Sequence, residues 1–391
     1  MITALHEISL LLYIEFQKQE IEENNMIIIV AVILLIIITF ALLPPSNGKL
    51  KNGCDYEVCE KTYLDVDDTK IGLVIKGKKA NAPVLLFLGG GPGIPEYWSE
   101  YQYPTGIDGH FIVCWINYRG TVLSYDKKLN QDEITQEAYI NDAVKITDYL
   151  RDRFHQNKIY LMGHSFGTTI SLLISKKYPE KFKAYIAMSM CTDQFMSEKI
   201  AYYYMVHQYQ KQGNKTIAKQ LKKYADLFDN NSTSFKVNDK HTKKYFSLLR
   251  DKTMHQLGIG TTHNMKSVIT GILLPTLRMT EFTPRERINI WRGKIFIAGA
   301  PIDKNKFNFN SYEVADKLDL PFYVFAGKYD YTTNYSLQKK YFEHVSSDIK
   351  GFYTFENSAH SPLFEESKKA IEIITKDILN NTVVLADKEV K

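Results

Sequence analysis

The chain has 391 residues, enough for one large domain with an insertion and a substantial buried core. Hydrophobic residues make up 45% and charged residues 24%, which argues against disorder over most of the length. The net charge of +5, from 49 basic and 44 acidic residues, is too small an excess to argue for nucleic acid as a partner, and four cysteines are too few for a disulfide scaffold.

Residues 1–25 read as an N-terminal tail. Next comes Met26 to Leu43, an apolar run in which only Thr39 is polar. At about 1.5 Å per residue such a helix spans roughly 27 Å, close to the hydrocarbon thickness of a bilayer. Core helices are rarely apolar on every face. A cleaved signal peptide fits poorly, because Glu20, Glu22 and Glu23 precede the run and no small-residue cleavage site comes after it. The expectation is an uncleaved single-pass anchor at 26–43, ended by Pro44-Pro45. Lys49 and Lys51 favour a cytoplasmic side for the C-terminal part of the chain. A local disulfide between Cys54 and Cys59 would favour the opposite side, and the sequence leaves the orientation open. No histidine has zinc-site spacing to these cysteines, so no metal is expected. Residues 44–60 read as a linker.

From about residue 61, short apolar runs alternate with amphipathic stretches. Leu73–Ile75, Val84–Leu88, Phe111–Ile116, Ile159–Met162 and Ala184–Met190 read as strands, with Cys114 as core packing. Gln136–Phe154 places Tyr139, Ala143, Ile146, Tyr149 and Leu150 at helical spacing, and Phe166–Tyr178 is a second helix. Residues 193–300 break the pattern with helices rich in Lys and Tyr. It resumes with a strand at Pro321–Gly327, a helix at Ser336–Val345, a strand at Gly351–Phe355 and a closing helix at Pro362–Leu379. Strand–helix alternation means a mostly parallel sheet with helices on both faces. The expected organisation is an α/β core at 61–192 and 301–380, split by a helical cap at 193–300, with a C-terminal tail at 381–391.

Three segments carry chemistry. Gly163-His164-Ser165-Phe166-Gly167 joins a strand to a helix and fits the nucleophile elbow, where a tight turn exposes a serine hydroxyl and flanking glycines let strand and helix approach. Read without chemistry, Ser165 is a helix cap. The run Gly89-Gly90-Gly91-Pro92-Gly93 comes after another strand and could offer a backbone N–H to an oxyanion, from Gly90 or Gly91, beside that of Phe166. It lacks the ending of a phosphate-binding loop. Asp330 comes after the strand at 321–327, and His360 precedes the last helix. The order Ser165, Asp330, His360 matches the elbow's usual triad order. A serine hydroxyl needs a base to take its proton, and that base needs a carboxylate to hold its tautomer. An aspartate nucleophile, needed for epoxide hydrolase or dehalogenase chemistry in its usual form, is absent from the elbow.

These motifs resemble the proline iminopeptidase-like branch of the α/β hydrolases over about residues 60–380. That branch carries His-Gly-Gly-Pro-Gly where this chain has Gly89 to Gly93, Asp-Gln-Arg-Gly where it has Asn117-Tyr118-Arg119-Gly120, and Gly-x-Ser-Trp-Gly where Phe166 replaces the Trp. The resemblance implies the α/β-hydrolase fold, a capped active site and an aminopeptidase acting through an acyl-enzyme without metal or cofactor. It also implies acidic cap residues that bind a free amine, for which Asp193, Glu198, Asp226 and Asp229 are available. The expected partner is a short peptide or other small substrate. Two alternatives stand beside this: a carboxylesterase or lipase with the same triad, and a non-catalytic binding protein on the same fold. The run Lys211, Lys215, Lys219, Lys222 and Lys223 reads as a solvated helix face.

Overall fold

The computed structural model describes residues 43–51, 55–229, 232–236 and 239–388. The expected membrane anchor therefore lies outside the described residues except for Leu43, as does Cys54 of the expected cysteine pair. Among the described residues no helix is long and apolar enough to cross a membrane. The chain divides before Ser46, and the unit from Ser46 to Lys391 holds the sheet and the helices packed on it.

Its centre is one eight-stranded sheet in the order β1-β2-β4-β3-β5-β6-β7-β8. The strands are β1 Val58–Val66, β2 Thr69–Gly77, β3 Val84–Leu88, β4 Ile112–Ile116, β5 Ile159–His164, β6 Phe182–Met188, β7 Phe322–Gly327 and β8 Lys350–Phe355. β1 pairs antiparallel with β2, and β2 with β4; the other pairs are parallel. β1 runs through residues 58–60 of the segment read as a linker. Its sequence, VCEKTYLDV, mixes charge and apolar residues because it is an edge strand with only its last residue fully buried.

The central strands are continuous apolar runs because both faces are covered. In β3, Val84, Leu86 and Leu88 point into one hydrophobic layer, and Leu85 and Phe87 into the other. Ile112, Cys114 and Ile116 of β4 divide from Val113 and Trp115 in the same way. Each such large apolar side chain contributes about 1.5–3 kcal/mol when buried. Helix α1, Gln136–Arg153, starts where the Thr135 hydroxyl accepts the Ala138 N–H at 3.1 Å. It buries Tyr139, Ala143, Ile146 and Leu150 against the first layer, as its spacing anticipates. Helix α2, Phe166–Lys177, comes directly after β5.

Between β6 and β7 the chain is helical and builds its own hydrophobic cluster around Phe195, Tyr202, Phe228 and Tyr245. The lysine-rich stretch forms helix α3, Lys215–Lys222, which buries only Ala218 and Leu221 and leaves its lysines exposed. The closing helix expected at 362–379 is broken into Pro362–Glu365 and Ser367–Lys376, with Glu366 at φ −129°, outside the helical range.

The order of strands decides where a site can form. β3 lies between β4 and β5, so the chain winds outward in both directions from this point, and the loops leaving β3 and β5 emerge side by side. Crevices at such switch points, outside the carboxyl ends of the strands, are where α/β sheets bind ligands.

Candidate active site

Ser165 sits between β5 and α2 with φ 52° and ψ −122°, a conformation that costs an L-residue about 1–3 kcal/mol. Its surroundings hold it there. The Ser165 N–H donates to the Met188 carbonyl at 3.0 Å, and its own carbonyl accepts the Thr168 N–H at 2.9 Å. The flanking glycines are steric requirements. A Cβ on Gly163 would lie 2.6 Å from Ser171 Oγ, and one on Gly167 would lie 2.0 Å from the Leu88 carbonyl oxygen. The strand, the helix and the loop after β3 meet too closely for any side chain at either position.

Asp330 lies just after β7 and is fully buried. Its Oδ1 accepts the N–H groups of Thr332 and Thr333 at 2.9 and 3.0 Å, and its Oδ2 accepts the Thr333 hydroxyl at 2.9 Å. His360 Nδ1 lies 2.9 Å from the same Oδ2. Burial pushes the Asp330 carboxyl up, but His360 and the Thr333 hydrogen bonds outweigh it and hold the group below the ordinary carboxylate range. An ionised carboxylate only accepts, so His360 Nδ1 carries a proton. Ser165 and His360 line one cavity of about 720 Å³, walled in part by the helical stretch between β6 and β7. Among the described residues no hydrogen bond joins Ser165 Oγ to His360; the two are brought to the same cavity wall, and catalytic contacts of this kind often tighten only around substrate.

The loop after β3 lies against the elbow, where a Cβ on Gly90 would be 3.1 Å from Ser165 Cβ. Its two candidate donors differ. The Gly90 N–H is engaged, donating to Glu96 Oε2 at 3.0 Å. Gly91, at φ 109°, lines the cavity beside Phe166, whose N–H opens α2. From below, the Tyr118 hydroxyl donates to the Gly89 carbonyl at 3.0 Å, and Arg119 forms a two-pronged ion pair with Asp142 at 3.0 and 2.6 Å. Phe166 packs edge-on against Tyr118 and Tyr139, at 5.8 and 6.2 Å between ring centres.

The histidine loop is gripped by Glu365. Its Oε1 accepts the Ala359 and Ser361 N–H groups at 2.9 and 3.3 Å, and its Oε2 accepts the His263 N–H at 2.6 Å. Burial raises this carboxyl to about 7 despite those hydrogen bonds. A carboxyl whose folded value exceeds its unfolded value stabilises most at low pH and loses that contribution as pH climbs through the folded value. The melting temperature of the wild type, relative to that of E365Q, should therefore fall between about pH 4.5 and about pH 7. A difference that stays constant across that range would show that Glu365 does not titrate there.

None of the four acidic cap residues expected from sequence lines the cavity. Glu198 is fully buried, with Arg250 at 2.8 and 2.5 Å and Gln194 at 3.2 Å. Asp193 caps a helix through the Met196 N–H, Asp226 faces His241, and Asp229 accepts the Ser232 N–H. The carboxylates that do line the cavity are Glu96, Asp251 and Asp303. Asp251 pairs with Arg250 at 2.6 Å and Asp303 with Lys306 at 2.6 Å. Lys294 also lines the cavity, its amine 3.3 Å from the Pro92 carbonyl, and burial lowers it to about 8. Sequence reasoning passes over Glu96 and His164, although His164 stands inside the elbow motif and Glu96 three residues beyond the glycine-rich run. Among the described residues no cluster of His, Cys, Asp or Glu could hold a metal ion.

Residues 83–367 match the family described as alpha/beta hydrolase fold. The chain belongs to that family. As an α/β hydrolase it is similar to a probable aminopeptidase, YbaC, of Bacillus subtilis, with 26% identity over 303 residues, 78% of this chain and 91% of the relative. It is also 26% identical to a proline iminopeptidase of Saccharolobus solfataricus over 314 residues, covering 78% and 86% of the two chains. Among solved structures, a proline iminopeptidase of Mycobacterium smegmatis superposes with a TM-score of 0.56 at 10% identity, over 82% of this chain and 98% of that one, a likeness of fold alone. The resemblance read from the motifs is thus matched by relatives over most of this α/β hydrolase.

Proposed function

We propose that this α/β hydrolase is a serine hydrolase working through an acyl-enzyme at Ser165. The observation that carries this reading is the strained serine at the end of β5, sharing a cavity with a histidine whose Nδ1 is held by a buried carboxylate at 2.9 Å. In this reading Ser165 Oγ attacks a carbonyl carbon, and His360 Nε2 takes the hydroxyl proton. Asp330 fixes the imidazole tautomer and stabilises its cation. The Phe166 N–H and the Gly91 N–H hold the developing oxyanion. His360 then returns the proton to the leaving group, and water, activated by the same imidazole, hydrolyses the acyl-enzyme. No step calls for a metal or organic cofactor.

For substrate, we favour a short peptide cleaved at its amino end. The support is the aminopeptidase and proline iminopeptidase names of relatives covering most of the chain. A second reading, an acyl ester, gains from one observation. Asp251 and Asp303 already hold cations, while Lys294 brings to the cavity an amine that among the described residues hydrogen-bonds no carboxylate. A substrate amine would have to displace an existing ion pair. We also retain the apolar run at 26–43 as a single-pass anchor, on the strength of its length and composition.

One set of measurements tests these readings. A fluorescent fluorophosphonate should label the full chain at Ser165, and the labelled protein should stay in the membrane pellet after a carbonate wash. A panel of aminoacyl-nitroanilides and short acyl esters then separates the substrates: cleavage of the anilides supports the peptidase, and cleavage of esters alone supports the second reading. No label on the folded chain would sink the hydrolase reading and favour a ligand-binding protein, and release from the pellet would sink the anchor.

A further inference from the structure

Behind the nucleophile lies a second acid–histidine pair that the triad does not use. His164, the residue before Ser165, has Nδ1 at 2.9 and 3.0 Å from the two carboxylate oxygens of Glu96. Its Nε2 lies 2.7 Å from the backbone carbonyl oxygen of His360. Glu96 Oε2 also accepts the Gly90 N–H. Both side chains are buried, and the His164 and His360 rings lie 5.1 Å apart between centres.

Counting protons fixes the state of the pair. A carbonyl oxygen only accepts, so Nε2 of His164 must carry a hydrogen. One further proton then lies between Nδ1 and the Glu96 carboxyl. The Gly90 N–H, aimed at the same carboxyl, favours its ionised form, which leaves an imidazolium facing a carboxylate. Burial opposes both charges, yet mutual attraction wins and holds His164 above and Glu96 below their ordinary ranges. The other titratable groups facing the pair are His360 and Asp330 toward His164, and Tyr118 and His360 toward Glu96.

We propose that Glu96 and His164 are a positioning pair whose one shared proton ties the loop after β3 and the histidine loop to the nucleophile elbow. Each of its three hydrogen-bonded ties ends on a segment of the candidate machinery: Gly90 next to the oxyanion donor Gly91, His164 next to Ser165, and the backbone of His360 itself. If the proton is lost, the single hydrogen left on His164 satisfies either Glu96 or the His360 carbonyl, and one tie opens. The pair rests on the serine-hydrolase reading and adds to it a charge state that the site must keep.

Glu96→Gln separates this role from simple packing. A glutamine of the same shape accepts the Gly90 N–H through its oxygen and donates its amide N–H to a neutral His164 Nδ1. His164 Nε2–H still reaches the His360 carbonyl. All three ties then survive without a titrating proton on the alkaline side. The measurement is the rate of fluorophosphonate labelling from pH 6 to 10 for the wild type, E96Q and E96A. The wild-type rate should fall on the alkaline side, by about tenfold per pH unit once the pair titrates. E96Q should match the wild type near pH 7.5 and stay flat above it. E96A, which frees the loop after β3, should label about 100-fold more slowly at pH 7.5, as expected for a misplaced reacting group. Wild-type and E96Q profiles that coincide, whether falling or flat, would overturn the proposal, even if E96A fails to fold. A wild type that takes no label at all overturns the nucleophile reading and the pair with it, whereas coincident profiles leave Ser165 as nucleophile.

Discussion

Ser165→Ala should lower turnover of any substrate the wild type hydrolyses by at least about 10⁴-fold, with little change in folding. Only the hydroxyl is removed, and among the described residues no hydrogen bond to it holds the elbow together; the backbone bonds to Met188 and Thr168 remain. A companion variant, Ser165→Gly, should be equally inactive yet melt higher than S165A. Alanine at φ 52° keeps the strain of about 1–3 kcal/mol, while glycine releases it and favours the unfolded chain by only about 0.4–1 kcal/mol. Steady-state kinetics and thermal melts of the two variants check this. Residual turnover near the wild-type level in S165A would remove Ser165 from the chemistry, and equal melting points would mean that the elbow carries little strain.

Asp330→Asn should cost about 10⁴-fold in kcat with a much smaller change in KM. The geometry dictates how the asparagine sits. Two backbone N–H groups point at Oδ1, so the amide oxygen takes that side and the NH2 group replaces Oδ2. That NH2 then faces His360 Nδ1, which must give up its proton to accept. The imidazole is driven into the tautomer with hydrogen on Nε2, the atom that should receive the serine proton. Kinetics with a substrate found by the panel would show this, and a kcat within about tenfold of the wild type would mean that Asp330 does not set the tautomer.

The glycine–serine–glycine turn and the loop positions of Asp330 and His360 were legible because each depends on local sequence: a tight turn between a strand and a helix, and single residues on loops after strands. The central strands were legible too, since a sheet covered on both faces demands uninterrupted apolar runs. What the sequence hid depends on distant partners. Glu96 reads as one acidic residue in a loop until folding places it against His164, 68 positions later. Glu198 reads as an available cap acid, but its partner Arg250 lies 52 positions on and closes it off. β1 escaped notice because an edge strand carries no clear apolar alternation, and the break at Glu366 because nothing in Pro362–Lys376 marks a stop.

The placement of the helical stretch between β6 and β7 also has a consequence in time. Ser165 and its turn precede the helical stretch between β6 and β7, whereas Asp330 and His360 come after the whole of it. At ribosomal speeds of about 5–20 residues per second, His360 leaves the ribosome roughly 10–40 s after Ser165. β7 and β8, which carry Asp330 and His360 on their trailing loops, complete one edge of the sheet only then. On the proposed serine-hydrolase reading, a nascent chain ending within that stretch therefore holds Ser165 without its proposed base. On that reading, reactivity would arrive only when synthesis of the domain is nearly finished.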